Sequence, residues 1–107
     1  MGPDLLRGHL GMLLLSVLAS GPTHGYALSA ELRLRSNGLL AIVEGSLYPA
    51  LHRLEAAGLV ASSTETTDGR RRRRYEITAD GKAALDEERR QWETFKACVD
   101  GVLRESP

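Results

Sequence analysis

The spacing of the hydrophobic residues changes at Gly58, and this change limits the folds that the chain can adopt. Before Gly58 the apolar residues recur at the spacing typical of helices that pack on a core. Residues 59–77 are instead rich in valine and threonine, and Asp68-Gly69 in their middle is a strong signal for a hairpin turn. Helical spacing returns after Gly81. The sequence therefore predicts a mainly α protein with a small β-hairpin, of the α+β class.

Two helices are predicted in the first third of the chain. Apolar residues at positions 6, 10, 13, 14, 17 and 18 predict a helix over 4–19. Glycine and proline in the segment 20–23 end it. A second helix is predicted over about 24–35, and its apolar face comprises Tyr26, Leu28, Leu32 and Leu34.

A third helix is predicted from Gly45-Ser46 to Gly58, with Ser46 as its N-cap. Pro49 then falls in the first turn, where the backbone donors lack partners in any case. One face of this helix carries the apolar residues Leu47, Leu51 and Leu54. Polar side chains are left on the outer face.

The segments after Gly58 predict the remaining elements. Residues 59–66 and 71–77 form the two strands of a hairpin, and a long helix runs from about residue 79 to Arg104. Three helices, a hairpin and a long terminal helix make a winged helix-turn-helix with an extension. We expect a winged helix-turn-helix DNA-binding domain over 1–78 and a dimerisation helix over 79–107, together forming one compact unit.

Length and cysteine content are consistent with one small domain inside the cell. The chain has 107 residues, and 42% of them are hydrophobic and 26% charged, which excludes a disordered tail or a collagen-like fibre. Cys98 is the single cysteine, so an intramolecular disulfide is excluded and a reducing cytosol is favoured. We expect a cytoplasmic, nucleoid-associated protein.

An apolar run from Leu10 to Ala19, preceded by Arg7, resembles the core of a signal peptide. Asp4, however, lies in the segment that should be basic, and the run is far shorter than the ~20 residues that a membrane helix needs. A buried first helix is therefore favoured over a cleaved signal, and no membrane association is expected.

Positive charge is concentrated in one place although the formal net charge is zero. Five arginines run without interruption from Arg70 to Arg74. Alternation along a strand directs Arg71 and Arg73 to one face and the other three to the opposite face. Unpaired like charges on a small hairpin repel each other unless a polyanion lies alongside, so the run predicts contacts with DNA phosphates. The alternative is a charged edge that prevents edge-to-edge pairing of the hairpin.

The third helix is the candidate recognition helix. Its outer face carries Ser46, Tyr48, His52 and Arg53. Ser46 and the helix N-terminus suit a phosphate, and Arg53 suits guanine or a further phosphate. The alternative is that Ser46 only caps the helix and that Arg53 is solvated surface.

The last helix predicts a partner. Its apolar residues are Leu85, Trp92 and Val99, spaced seven apart, together with Phe95, Val102 and Leu103. Nothing else in so short a chain is left to cover this stripe, so we expect a symmetric homodimer that reads two half-sites of DNA. Trp92 either packs in that interface or stacks a flat ligand there. Cys98 borders the stripe and is expected to be a buried, inert thiol rather than a redox sensor.

Catalysis finds no support in the sequence. His9, His24 and His52 are scattered without the spacing of metal ligands, and no second cysteine accompanies them. Neither a glycine-rich phosphate-binding motif nor a convincing pair of carboxylates is present. We expect a protein that is not an enzyme and that needs no metal and no cofactor.

A set of collinear motifs spans nearly the whole chain. The motifs are Leu6-Arg7-Gly8, Gly21-Pro22-Thr23-His24-Gly25-Tyr26, Gly45-Ser46-Leu47-Tyr48-Pro49, the segment 54–60, Gly69-Arg70-Arg71-Arg72-Arg73 and Tyr75-Glu76-Ile77-Thr78, followed by Gly81 and Trp92. In this order they resemble the PadR family of bacterial transcriptional regulators, in its short form.

This resemblance implies a dimeric winged-helix regulator, usually a repressor, which a small molecule or a stress signal releases from DNA. It implies DNA contacts for Ser46, Tyr48, Pro49 and Arg70–Arg73, with Tyr26 near the DNA backbone. One branch of the family stacks planar compounds between paired tryptophans of the last helix, and Trp92 is similar, which implies a small planar or phenolic effector.

Two positions depart from the family pattern. Arg74-Tyr75 replaces the usual pair of aromatic residues in the wing, and Ser63-Thr64 stands where relatives often have tryptophan. A thinner hairpin core and a more mobile wing are expected as a result.

The sequence as a whole predicts a regulator, most often a repressor in this family, that binds a roughly palindromic operator as a homodimer. Two alternatives come from other classes of protein. The first is a protein-interaction module whose arginines meet an acidic surface. The second is a small-ligand-binding protein built around Trp92, which needs no DNA.

Overall fold

A computed structural model describes residues 8–104 of the chain. In chain order its elements are α1 (Leu10–Leu18), β1 (Thr23–His24), α2 (Gly25–Arg35), α3 (Glu44–Ala56), β2 (Val60–Thr67), β3 (Arg70–Ile77) and α4 (Ala79–Leu103). Four helices and a small antiparallel sheet confirm the predicted α+β winged helix-turn-helix with a long terminal helix. The first four residues of the helix predicted over 4–19 lie outside the described residues.

Strand β3 lies in the centre of the sheet, whose order is β1-β3-β2. The β2–β3 hairpin pairs Val60 with Ile77 at its base and Thr67 with Arg70 at its tip. Asp68 and Gly69 form the predicted turn, with φ angles of 52° and 76°. Positive φ at both positions matches the twist of a tight hairpin, so the dipeptide fixes the register.

Strand β1 was not predicted from the sequence. Thr23 pairs with Tyr75 and His24 pairs with Arg74, so the short segment protects the second edge of β3. Two residues are too few to show an alternating pattern, and the preceding glycine and proline indicate only a turn.

Leucines from all four helices form the core. The fully buried side chains are Leu14, Leu15, Leu18, Leu28, Leu47, Leu51 and Leu85. Leu85 of α4 is 2% exposed in this single chain, so its predicted place in a dimer interface is wrong. The expected apolar face of α2 holds only in part, because Leu28 and Leu32 are buried whereas Tyr26 and Leu34 are exposed.

Helix α3 starts earlier than predicted. Its N-cap is Val43, which makes no side-chain capping bond, and Ser46 lies inside the first turn with its amide donating to the carbonyl of Val43. Ser46 is therefore not the cap. Because the helix begins at Glu44, Pro49 falls beyond the first turn and has no N–H to donate to the carbonyl of Gly45. Glu44 places a negative charge at the helix N-terminus, where the macrodipole favours it.

The end of α3 is fixed by backbone bonds. Gly58 has a φ of 79°, its amide donates to the carbonyl of Glu55, and the amide of Leu59 donates to the carbonyl of Leu54. This pair of bonds is a Schellman motif, which needs the left-handed conformation that glycine adopts at no steric cost. The chain consequently leaves the helix in a defined direction and enters β2.

The start of α4 packs directly on this connection. The hydroxyl of Thr78 accepts from the amide of Gly81 at 3.0 Å and donates to the carbonyl of Gly58 at 2.7 Å. A Cβ atom on Gly81 would overlap the carbonyl oxygen of Leu59 and lie 2.7 Å from Cγ1 of Ile77. Only glycine lets α4 approach this closely. Among the described helices, none is long and apolar enough to cross a membrane.

A Gly81→Ala substitution is expected to destabilise the protein by about 1–3 kcal/mol, as overpacking of a close contact does. Gly101→Ala is the matched control, since it lies in the same helix with nothing within 4 Å of the added carbon. There alanine should be neutral or stabilising by up to about 1 kcal/mol. Urea unfolding of both variants measures the difference, and equal stability would show that α4 does not need the close approach.

Candidate nucleic-acid interface

A cleft of about 500 Å³ separates the hairpin from the starts of α2 and α3. We call it the wing cleft; its lining residues are His24, Gly25, Tyr26, Tyr48 and Arg70 to Arg73. Six of the residues predicted to contact DNA thus line one concave surface, although they come from three separate segments of the sequence.

Tyr48 closes the inner end of the wing cleft. A Cβ atom on Gly25 would lie 2.7 Å from its phenolic oxygen, so the ring rests against the backbone at the start of α2. The Tyr48 side chain is nevertheless 40% exposed. Its ring therefore holds the first turns of α2 and α3 together while presenting one edge to solvent.

The arginines of β3 differ in their partners. Arg72 lies over the ring of Tyr26, with its guanidinium carbon 5.8 Å from the ring centroid, which is a cation–π geometry. The Nε–H of Arg73 donates to the hydroxyl of Ser62 at 3.1 Å. Within residues 8–104, no hydrogen bond or ion pair engages the side chains of Arg70 and Arg71. The expectation of a uniformly unpaired run is therefore wrong at Arg73, which is hydrogen-bonded, and at Arg72, which lies over an aromatic ring.

A second contact crosses the outer face of the sheet. The Nε2 atom of His24 and a carboxylate oxygen of Glu65 lie 3.2 Å apart, which links β1 to β2 over the central strand. Glu65 is also the strand partner of Arg72. These contacts place one negative charge beside the positive run.

The outer side of α3 presents the other predicted DNA-contacting residues. Ser46, Pro49, His52 and Arg53 are all exposed. Among the described residues, no hydrogen bond or ion pair occupies the side chains of Ser46, His52 and Arg53. They lie outside the wing cleft and continue its surface along the helix.

Behind the wing cleft lies Tyr75, which is buried between the sheet and α3. Burial raises the pKa of its phenol above the ordinary value; Arg73 acts in the opposite direction, and Tyr48 and Glu55 add to the increase. The phenol therefore stays protonated at neutral pH and contributes no charge to the surface above it.

A second concave surface of about 340 Å³ lies between α1 and α4. We call it the α4 groove; it is lined by Gly8, His9, Gly11, Met12, Glu88, Gln91, Trp92 and Phe95. The rings of His9 and Trp92 meet edge to face, with centroids 5.3 Å apart. Trp92 can be identified as a candidate from the sequence, whereas His9 and Glu88 cannot, because the register between α1 and α4 is a tertiary feature.

The far end of α4 exposes apolar side chains. Phe95, Val102 and Leu103 are exposed, and Val102 reaches 84%. Val99 is half-buried. Cys98 is exposed in the single chain, and the expectation that a second copy buries its thiol stays a prediction.

Metal chemistry has no geometric basis in the part of the chain that the structure describes. No group of three histidine, cysteine or acidic side chains within residues 8–104 could hold an ion.

Residues 14–87 match the transcriptional regulator PadR-like family. A transcriptional regulator of Mycobacterium tuberculosis is 42% identical over 98 residues, which are 92% of this chain and 89% of that protein. The fold is similar to that of a transcriptional regulator from Clostridium thermocellum, with a TM-score of 0.88, 31% identity and coverage of 94% of this chain and 99% of the other. A PadR family regulator from Eggerthella lenta gives a TM-score of 0.84, 36% identity and coverage of 96% and 88%.

Proposed function

The chain belongs to the PadR-like family of transcriptional regulators, and from this premise we propose that it represses transcription by binding an operator through the wing cleft and the outer side of α3. It is a regulator and not an enzyme. The observation that carries the proposal is that Arg70 and Arg71 line the wing cleft, are exposed, and have no hydrogen-bond or ion-pair partner among residues 8–104.

In this proposal the wing, which is the β2–β3 hairpin, contributes affinity for DNA. The guanidinium groups of Arg70 and Arg71 contact phosphates, and Arg72 joins them while stacked on Tyr26. Each phosphate neutralised by an arginine releases counterions, so these contacts bind any duplex and weaken with salt. The Tyr48 phenol, at the inner end of the cleft, donates to a further backbone oxygen.

The recognition helix α3 contributes specificity. Its exposed side chains reach the edges of bases in the major groove, with Arg53 suited to guanine and His52 to an acceptor on a base. The Ser46 hydroxyl and the amides of Glu44 and Gly45, which have no acceptor among residues 8–104, suit a phosphate, and Pro49 packs against the sugar-phosphate backbone. Sequence discrimination should therefore depend on α3 and not on the wing.

We infer a homodimer from the exposed stripe on α4. Phe95, Val102 and Leu103 face solvent in the single chain, and burying them against a second copy removes apolar surface from water. A two-fold axis would place two recognition helices on two half-sites, which requires a roughly palindromic operator. A cytoplasmic, nucleoid-associated location follows from such a role.

Arg71→Ala should weaken binding to every duplex and reduce the slope of log K against log salt by about 0.9 per lost phosphate contact, hence about 1.8 per dimer. Fluorescence anisotropy with a duplex from the region upstream of its own gene, and with a shuffled duplex, measures both slopes. Arg53→Ala should instead reduce the preference for the upstream duplex about 5- to 150-fold for each half-site, since a good base contact contributes about 1–3 kcal/mol of discrimination.

Arg90→Ala is the control for the loss of one arginine, because Arg90 lies on α4 and pairs with Glu87. Its slope should equal that of the wild type. Salt-independent binding, or no duplex binding at low salt, would contradict the proposal and favour an interaction module for an acidic protein.

Val102→Glu should convert the dimer into a monomer, because it buries a charge in the proposed interface. Val102 is exposed in the single chain, so the fold of each subunit should be retained. Ala97→Glu is the matched control on the opposite side of the exposed part of α4. Sedimentation equilibrium distinguishes the variants. A Val102→Glu protein that stays dimeric would show that this stripe is not the interface.

The α4 groove is the proposed site of a small planar or phenolic effector. It combines the rings of His9, Trp92 and Phe95 with the carboxylate of Glu88, which suits a flat molecule with a polar edge. The groove lies beside the exposed stripe of α4, so the second copy would complete it.

Riboflavin, a planar compound, should release the wild-type protein from the upstream duplex and quench the fluorescence of its single tryptophan. Trp92→Ala should abolish the release while the protein still dimerises and binds the duplex. Trp92→Phe, which keeps an aromatic surface, should retain part of it. An unchanged response in Trp92→Ala would exclude Trp92 as the stacking residue.

A further inference from the structure

We propose that Glu55 is a positioning residue that sets the wing against the recognition helix, and that it holds Arg73 back from the DNA phosphates. The proposal rests on the proposed function, since it concerns how that same surface is aligned. It assigns different roles to two arginines, Arg71 and Arg73, that are neighbours on one face of β3.

Glu55, Ser62 and Arg73 form a continuous hydrogen-bonded chain across three elements. The hydroxyl of Ser62 donates to the carboxylate of Glu55, with 2.6 Å from its oxygen to each carboxylate oxygen. The same hydroxyl oxygen accepts from Nε–H of Arg73 at 3.1 Å. A terminal nitrogen of Arg73 lies 4.0 Å from the carboxylate. Since a hydroxyl has one hydrogen to donate, the carboxylate and the guanidinium fix its direction between them.

The position of this hydrogen-bonded chain in the fold explains how it can align the wing with α3. Glu55 lies in the last turn of α3, Ser62 near the start of β2 and Arg73 in the middle of β3. Ser62 is the strand partner of Tyr75, so its side chain shares the face of the sheet that turns toward the core. The Arg73 side chain lies on that face too and bends back toward the base of the wing, away from the tip where Arg70 stands.

The two charged side chains of this network differ in their exposure to solvent. The side chain of Glu55 is 31% exposed, whereas that of Arg73 is 58% exposed. A hydrogen bond that a partly buried carboxylate accepts is stronger than one between neutral groups at the surface. The buried ring of Tyr75 lies beside Ser62 on the same face of the sheet, and the charges of Arg73 and Glu55 shift the pKa of its phenol in opposite directions.

Besides the packing of the hairpin base in the core, two links connect the end of α3 to the hairpin. One is the backbone turn at Gly58, and the other is the side-chain link that starts at Glu55. Without the second link, the part of the hairpin that extends beyond the β1–β3 pairing can change its angle to α3. Phosphate contacts from the wing would then no longer coincide with base contacts from α3, and the loss would affect the operator more than random DNA.

Glu55→Gln is the first test. The amide carbonyl still accepts from Ser62, but the negative charge that attracts Arg73 is lost. We expect Arg73 to reach a phosphate, so that the salt slope steepens by about 1.8 per dimer. The preference for the upstream duplex over the shuffled one should fall about three- to tenfold, within the range of coupling between residues in one network. Glu76→Gln, an exposed carboxylate on the same strand as Arg73, is the control for loss of charge alone.

Arg73→Ala is the second test, with Arg71→Ala beside it. Arg73→Ala should keep the wild-type salt slope and lose operator preference, whereas Arg71→Ala should flatten the slope and keep the preference. Thermal unfolding of each variant checks the fold, and a simple loss of stability does not change the number of counterions released.

The outcomes separate this proposal from the proposed function. A slope reduced equally by Arg73→Ala and Arg71→Ala, or an effect of Glu76→Gln equal to that of Glu55→Gln, would overturn the role given to Glu55 and leave the wing as a phosphate-binding element. A wild-type slope in both arginine variants would overturn the phosphate role of the wing itself, and this proposal with it.

Discussion

Strand β3 must be paired along both edges, and the rest of the structure depends on this constraint. Its carboxyl half carries Tyr75 and Ile77 into the core, while its amino half carries the arginines beyond it. A strand with that composition depends on its neighbouring strands, because the five adjacent guanidinium groups repel one another. β2 supplies the long partner, and β1 supplies two residues at the point where the core ends and the wing begins. The location of the wing is therefore fixed by burial at the other end of the same strand.

The surroundings of β3 reduce the repulsion among its five arginines. Alternation along the strand separates neighbours onto opposite faces, and Glu55 and Glu65 place a carboxylate near each face. Tyr26 covers one guanidinium with its ring. The zero net charge of the chain thus coexists with a positive hairpin, because Glu55, Glu65 and the turn residue Asp68 offset only part of the charge of the five arginines. Local field, not total charge, determines what such a surface attracts.

Periodicity and turn chemistry were enough to predict most of the fold. Asp68-Gly69 fixed the hairpin, and helical spacing located α1 to α4 within a few residues. The errors share a physical cause: the spacing of residues along the chain does not specify which surface their side chains pack against. The heptad spacing of Leu85 is compatible with an intermolecular or an intramolecular contact, and only packing against α1 decides between them. Ser46 resembles a cap, yet the helix begins earlier because Glu44 and Gly45 also adopt helical geometry.

The sequence predicts those parts of the candidate site that a single segment of the chain contains. The arginine run and the outer face of α3 follow from the sequence, whereas the Glu55–Ser62–Arg73 link does not. Glu55 and Ser62 are close in the chain, but a turn separates them, and Arg73 joins them only through the pairing of β2 with β3. Neither a charge count nor a motif distinguishes Arg73 from Arg71. The two arginines differ only in their contacts with other elements of the fold, and a sequence pattern does not contain such contacts.

Helix α1, which lines the α4 groove, contacts α3, which lines the wing cleft. Gly11 of α1 lines the α4 groove, and a Cβ atom placed on it would lie 3.6 Å from Leu54 on α3. Any influence of an occupant beside Trp92 on the recognition helix in the same subunit thus has its shortest route through α1. An occupant shifts α3 only to the extent that it binds two arrangements of α1 with different affinity. A Cβ atom on Gly11 would make an ordinary van der Waals contact with Leu54, so α1 and α3 pack side by side at this point. Close-packed interiors transmit strain, which makes this contact the place where a change in α1 would act on α3.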